Sequence, residues 1–347
     1  MTRIDTIVVE SQPLGWGPIA ALAQLTADLF GGRYHGFTSG PEGLGNRIWG
    51  LRPRRRGRND AVLLAFLPTT TEINALRHSP VFRAGYRRVA VWLIDSFWDD
   101  RPLRPAQFQG IDLIGIIRRD EMDHYRRHLG QRVMALNWGA DVLGAGSDGA
   151  DRPVDLLRVG RQPPAWSEDS ASAAMARELG LTFAGRPEFV ADPARNQRQI
   201  LTAYRGTKYI LAHSNLASDD EHTHKVKEYI TGRWTDALAC GATVAGQQPR
   251  DDDSYRRLLW PEAVLHFDRI DLRHNMEAMA EAVAAWTPRQ ARHNHLMALR
   301  NLDWRHSLKR ISDAVSVRSP TLDADLARIA AMTPEHLAPD QTRPSSS

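Results

Sequence analysis

The sequence predicts an α/β protein made of two doubly wound halves, and three observations carry that prediction. Apolar runs such as AVLLAFL at 61–67 and VAVWLI at 89–94 are nearly continuous, as in parallel strands covered on both faces. These runs alternate with helix-periodic segments, the order of βαβ units. The alternation also begins twice, at Ile4 and again at Val154, on either side of a Gly/Ala/Ser/Asp stretch at 143–152 that reads as a linker.

Composition sets the bounds. A chain of 347 residues suffices for two domains of ordinary size, and 42% apolar with 25% charged residues is the balance of a globular protein. No run approaches the roughly eighteen uninterrupted apolar residues of a membrane helix. MTRIDTIVVE has too short an apolar run and the wrong flanks for a signal peptide, so a cytoplasmic location is expected. The single cysteine excludes an internal disulfide framework and a cysteine-cluster zinc site. Net charge is only +4, and arginine supplies all but four of the 45 basic residues. Against that background two lysines at 225 and 227 are locally unusual. The run Arg52 to Arg58 fits a nucleic-acid or anionic-membrane patch, or a solvated loop before the strand at Ala61. Without aromatic interleaving or a binding motif the loop is preferred, and no nucleic-acid partner is expected.

The first half opens with a β-branched run, Ile4 to Val9, then a turn carrying Gly15, Trp16 and Gly17, then a helix over about 19–30. Gly15-x-Gly17 lacks the third glycine and the lysine of phosphate-binding loops, so it is no dinucleotide or P-loop fingerprint. Its place between strand and helix puts it at the carboxyl edge of a sheet, where it either lines a ligand crevice or merely turns the chain. Further strands are expected at 61–67, 89–94, 111–117 and 133–137, with helices over 70–79 and 119–129. Asp95, just past the 89–94 strand, fits contact with a substrate hydroxyl and fits equally a cap on the next segment.

In the second half, strands are expected at 154–159, 181–184, 209–212, 242–246 and 263–267. Helices are expected at 168–179 with Ser167 as N-cap, 196–204 and 233–239. A mostly helical tail follows over 276–286, 288–299, 304–315 and 322–330, and residues 334–347 are polar and expected to be disordered. The domains are therefore 1–150 and 151–333 plus the tail.

The most informative stretch is His222 to Gly246, HTHKVKEYITGRWTDALACGATVAG. Gly232 opens a short helix that stops at Cys240-Gly241, where a left-handed C′ glycine belongs. Glu228 and Asp236 bracket the helix start, with Lys225, Lys227, Tyr229 and Arg233 beside them. Carboxylates suit hydroxyls, and cations with free N–H groups suit phosphates, so one ligand carrying both is indicated. The segment Gly232–Gly241 resembles the nucleotide-sugar motif of GT-B glycosyltransferases, Arg-x-x-Glu-Ala-Leu-Ala-Cys-Gly, and is most similar to the group-1 and CgeB-like branch.

That resemblance implies a GT-B fold, two Rossmann-like domains facing a cleft, with an acceptor half and a nucleotide-sugar half. It implies Asp236 on the ribose hydroxyls, where Glu is usual, and Glu228 on the sugar and adjacent phosphate. Arg161 resembles the arginine that clamps the diphosphate, although the lysine that commonly follows is missing and Lys225 or Lys227 stands in. Arg233 is a second phosphate ligand, and His213, at a strand end, is placed to touch the same molecule. The catalytic set is then Glu228, Arg161 and Asp95, with Gly15, Trp16, Gly17 and Asp95 toward the acceptor.

The expected reaction is sugar transfer from a nucleoside-diphosphate sugar to the hydroxyl of a sugar, lipid-linked glycan, small molecule or protein. No cofactor or metal is expected, since Asp251-Asp252-Asp253 is the nearest approach to Asp-x-Asp and lies in a loop. His222-x-His224 reads as a surface pair rather than a zinc site. A retaining course is preferred from the Glu228/Asp236 spacing, with Asp95 as the base if the course is inverting. A sugar-nucleotide epimerase of the same plan and a binding protein without turnover remain the alternatives.

Overall fold

The computed structural model describes residues 2–9, 17–37, 57, 59–96, 104–217, 224, 226–250 and 253–333. Gly15, Trp16, His222, Lys225, Asp251, Asp252, the arginines of the 52–58 run and the 334–347 tail lie outside the described residues. By contacts the chain divides into two units. One holds 1–138, 189–198 and 304–323, the other 139–188, 199–303 and 324–347.

The first unit is a parallel sheet. Its elements are β1 (Ile4–Val9), α1 (Gly17–Leu29), β2 (Tyr34–Phe37), β3 (Asn59–Leu67), α2 (Glu72–His78), α3 (Pro80–Arg83), β4 (Tyr86–Leu93), β5 (Leu113–Ile116), α4 (Met122–Leu129) and β6 (Val133–Ala135). The strand order is β2-β1-β3-β4-β5-β6, every pairing parallel. Leu63, Ala65, Leu67, Val89, Val91 and Leu93 pack with Ile73, Leu76, Tyr125 and Leu129 in one core layer. The intervening positions face the other side, where Phe66 and Trp92 meet at 5.8 Å. Both faces are covered, which is why these strands read as continuous apolar runs. The strand β2 was not expected from sequence, because Tyr-His-Gly-Phe is an edge strand of which only Phe37 is buried.

The second unit comprises α5 (Val142–Ala145), β7 (Val154–Arg158), α6 (Asp169–Glu178), β8 (Phe183–Ala184), α7 (Pro193–Arg205), β9 (Thr207–Leu211), α8 (Gly232–Ala239), β10 (Thr243–Gly246), α9 (Asp253–Leu258), β11 (Val264–His266), α10 (Leu272–Ala284) and α11 (Pro288–Leu302), less residues 193–198 of α7, which fall in the first unit. Two helices end the described chain, α12 (Trp304–Val315) and α13 (Pro320–Met332). The sheet order is β11-β10-β9-β7-β8, again all parallel. Leu157, Ile210 and Val244 point into a core with Trp234, Leu238, Met297 and Leu302. Leu156, Tyr209, Leu211 and Ala245 point the other way, toward Trp166, Phe267, Met276 and Met279. Ser167 is not the cap expected for α6; its hydroxyl donates to Pro164 O, and Glu168 occupies the cap position.

The turn after α8 shows why its residues are small. Gly241 has φ 79°, and a Cβ there would lie 2.6 Å from Arg152 Nη2 and 2.8 Å from Ala291 O. Arg152 is itself 4% exposed, and its guanidinium donates to Gly149 O, Tyr204 O, Thr207 O and Cys240 O. Cys240 is fully buried, with Sγ 3.8 Å from Leu201 O, and burial foremost, then Asp236, pushes its thiol up to about 12. No described helix is long and apolar enough to cross a membrane.

Candidate functional site

In the second sheet β8 follows β7 on one side while β9 lies on the other, so the chain changes direction between β7 and β9. A parallel sheet opens a crevice at the carboxyl ends of its strands at such a point, because the connections leave to opposite faces. The residues after β7 are Val159, Gly160 and Arg161; those after β9 are Ala212, His213, Ser214 and Asn215. The segment 226–231 and the start of α8 join them.

Arg233 ties this edge together. Its Nη1 donates to Val159 O at 3.2 Å and to Arg161 O at 3.1 Å, so the guanidinium sits against the turn after β7. The close fit requires Gly160, whose φ is +74° and whose Cβ would fall 2.8 Å from Arg233 Cδ and Nη1. Burial pulls the Arg233 guanidinium below its ordinary value, and Arg161 beside it adds to that. Its Nε–H and Nη2 groups donate to none of the described residues. At the start of α8 Thr231 does not cap with its side chain, and among the described residues its buried Oγ1 has no partner and the backbone N–H groups of Gly232 and Arg233 are unclaimed. Free N–H groups at a helix start with an adjacent cation form an anion site.

His213 faces the same place. It is 2% exposed, and its Nδ1 accepts from Gln247 N–H at 3.1 Å, which puts the ring proton on Nε2. Among the described residues Nε2–H has no acceptor. Burial, and secondarily Arg233, lowers its pKa to about 3, so the ring is a neutral donor. The unfolded histidine takes its proton near 6.5, so between the two values the unfolded state binds more protons. Stability from this site is therefore full above pH 6.5 and is lost as pH falls toward 3, roughly 2–3 kcal/mol by pH 4.5. Urea unfolding at the two ends of that range measures this. His213→Gln should shrink the pH effect by that amount, and an unchanged pH effect would refute the assignment.

Glu228 is 8% exposed and binds protein donors with both oxygens: Ser214 Oγ at 2.5 Å to Oε1 and Arg250 N–H at 2.8 Å to Oε2. It links the loops after β9 and β10. Asn215 fastens the same segment, donating to Lys227 O at 2.8 Å and accepting from Tyr229 N–H at 3.3 Å. Asp236, on α8, is 6% exposed and close enough to Tyr204 and Cys240 to raise both, behind the larger effect of burial.

The described part of the expected set thus gathers within the second unit: Gly160-Arg161, His213, Lys227 to Tyr229, Gly232 and Arg233 share the carboxyl edge, with Arg161 exposed and Lys227 and Tyr229 half-buried. Asp236 lies one helical turn further into the core. Lys225, Gly15 and Trp16 are outside the described residues. Gly17 begins α1 and Asp95 follows β4, both in the first unit. Asp95 donates its N–H to Pro68 O at 2.7 Å, and burial, then the Glu72 carboxylate, raises its pKa to about 7. His224 corrects an expectation: it is buried rather than on the surface, and its Nδ1 accepts from Val226 and Lys227 N–H, so it shapes the segment before Glu228. Ser214, Asn215 and Thr231 were not singled out in sequence, having no motif of their own. Among the described residues no three His, Cys, Asp or Glu side chains are grouped to hold a metal.

No sequence-family profile matches the chain, and no curated protein matches it in sequence. Its fold has solved counterparts. A glycosyltransferase from Rickettsia africae superposes at TM-score 0.53 and 8% identity, covering 90% of this chain and 97% of that one. Anabaena HepE in complex with UDP superposes at TM-score 0.50 and 10% identity, covering 91% and 100%. At such identities the likeness establishes the fold, the GT-B α/β plan of two parallel sheets, and nothing finer.

Proposed function

We propose that the chain is a glycosyltransferase that moves a sugar from a nucleoside-diphosphate sugar to an acceptor hydroxyl. The observation that carries this reading is the meeting of Arg233, the open start of α8 and the unpartnered Nε2–H of His213 at the switch point of a parallel sheet. These are donors without acceptors, and a diphosphate supplies acceptors. HepE, with the same fold, is known with UDP, which supports a nucleotide-sugar ligand. The affiliation with the CgeB-like branch rests on Gly232–Gly241 alone.

In the reaction the anomeric C–O bond breaks, the diphosphate leaves with the electron pair, and positive charge grows on the sugar ring, as in glycoside hydrolysis. Arg233, Arg161 and His213 Nε2–H stabilise the departing charge, and Glu228 accepts a sugar hydroxyl. The transfer is read as retaining, with the acceptor proton passing to the leaving diphosphate, independent of metal and cytoplasmic. Asp95 favours a second, inverting reading, because a carboxyl raised to about 7 suits a base that takes the acceptor proton. Under that reading turnover rises through pH 7 and Asp95→Asn abolishes the rise. Under the retaining reading the profile is indifferent to Asp95→Asn, and the product keeps the anomeric configuration by NMR.

Calorimetry with UDP tests the site directly. Gly160→Ala should weaken UDP about tenfold or more, because the methyl group and the left-handed backbone displace Arg233 while the sheet stays intact. Asp236→Ala should weaken it as well if the carboxylate holds the ribose diol. Unchanged affinity in both variants overturns the assignment. Release of UDP from UDP-sugars separates transfer from epimerisation, and binding without release would reduce the chain to a binding protein.

A further inference from the structure

A second candidate site lies in the first unit, lined by none of the residues assigned above. A cavity of about 390 Å³ opens beside β6, the edge strand of the six-stranded sheet. Arg119 from the turn after β5, Arg126 on α4 and Arg310 on α12 stand around it, with Asp123 as the one acid, and Met122 and Met134 contribute its apolar lining. Arg119, Arg126 and Arg310 are exposed, whereas Met122 and Met134 are half-buried.

The charge is unbalanced by design of the surroundings. Nearby Arg118 is ion-paired with Asp120, but neither Arg119 nor Arg126 is hydrogen-bonded or ion-paired through its side chain to another described residue. Like charges held around one hollow repel, and an anion between them removes that cost. Guanidinium groups present planar forks that match phosphate oxygens in pairs. The thioether floor offers polarizable, adaptable apolar contact that a free inorganic anion leaves unused. A cavity of this volume is in the range that takes small ligands.

We propose that this groove binds a phosphate carried on an alkyl chain, with Arg119 and Arg126 taking the phosphate oxygens and Met122 and Met134 covering the first carbons. The phosphate end and the alkyl end are both required by the lining. A soluble amphiphile and a lipid headgroup in a bilayer supply the same chemistry.

Dihexanoyl phosphatidic acid, used as monomers, and inorganic phosphate are the calorimetric probes for the full chain. Vesicles of phosphatidylcholine with and without phosphatidic acid form a sedimentation arm. The short-chain lipid should bind about tenfold or more tightly than inorganic phosphate, and Arg119→Ser with Arg126→Ser should lose that binding. Met134→Ser should lower affinity for the lipid while leaving inorganic phosphate unchanged. Sedimentation with phosphatidic acid vesicles upholds the proposal with a bilayer source, and binding of monomers alone upholds it with a soluble source. Equal affinity for lipid and inorganic phosphate, binding unaffected by the double arginine variant, or binding to neither form overturns it. The replaced arginines are exposed, so an unchanged thermal unfolding curve accompanies a valid result.

Discussion

Arg233→Ala should lower nucleotide-sugar turnover by roughly 10²–10³-fold, the scale seen when one preorganised donor to developing negative charge is removed. The effect has two sources in the structure. Three N–H bonds of the guanidinium, one on Nε and two on Nη2, are open to a diphosphate, while Nη1 holds Val159 O and Arg161 O and so fixes the turn that carries Arg161. Arg233→Lys separates them: a lysine keeps the charge but cannot span both carbonyls and a phosphate at once. The lysine variant is expected to bind UDP within about tenfold of the parent yet turn over far more slowly. Steady-state kinetics with calorimetry measures this, and turnover of the alanine variant within about threefold of the parent would remove Arg233 from the reacting diphosphate.

Arg152→Ala should cost roughly 4 kcal/mol of stability, with little change in the activity of whatever remains folded. Arg152 has burial enough to pull its guanidinium below its ordinary value, and its hydrogen bonds go to backbone carbonyls from the 149 turn, the end of α7, the start of β9 and the end of α8. Removing it strands those carbonyls out of water and leaves a void against Gly241. Urea unfolding gives the number; a loss below about 1 kcal/mol would mean that water takes over the role of the guanidinium.

These two arginines show what sequence reveals and what it hides. Arg233 was legible because it belongs to a ten-residue segment whose small helix end and following strand have a recognisable chemistry. Arg152 was not, since one more arginine in an arginine-rich chain carries no local signal and its partners come from four separate places. Strands such as β3 and β4 were plain because burial on both faces makes them uniformly apolar. The edge strand β2 and the short helix α9 were missed, one because it is mostly exposed, the other because an aspartate run resembles a turn. At the site, Glu228 and His213 were visible as residues but not as geometry. The second lies beside Arg233 only because β9 sits next to β7, an order that comes from sheet assembly rather than from neighbouring residues. Ser214, Asn215 and Thr231 acquire meaning through that order alone.

The burial of Cys240 has a practical corollary. With a thiol raised to about 12, only about one molecule in 10⁵ holds the reactive thiolate near neutral pH, and the sulfur is covered as well. A maleimide or iodoacetamide reagent would therefore label this chain only when its second sheet opens. The lone sulfur then serves as an intrinsic clock for unfolding, readable by mass spectrometry without adding a probe.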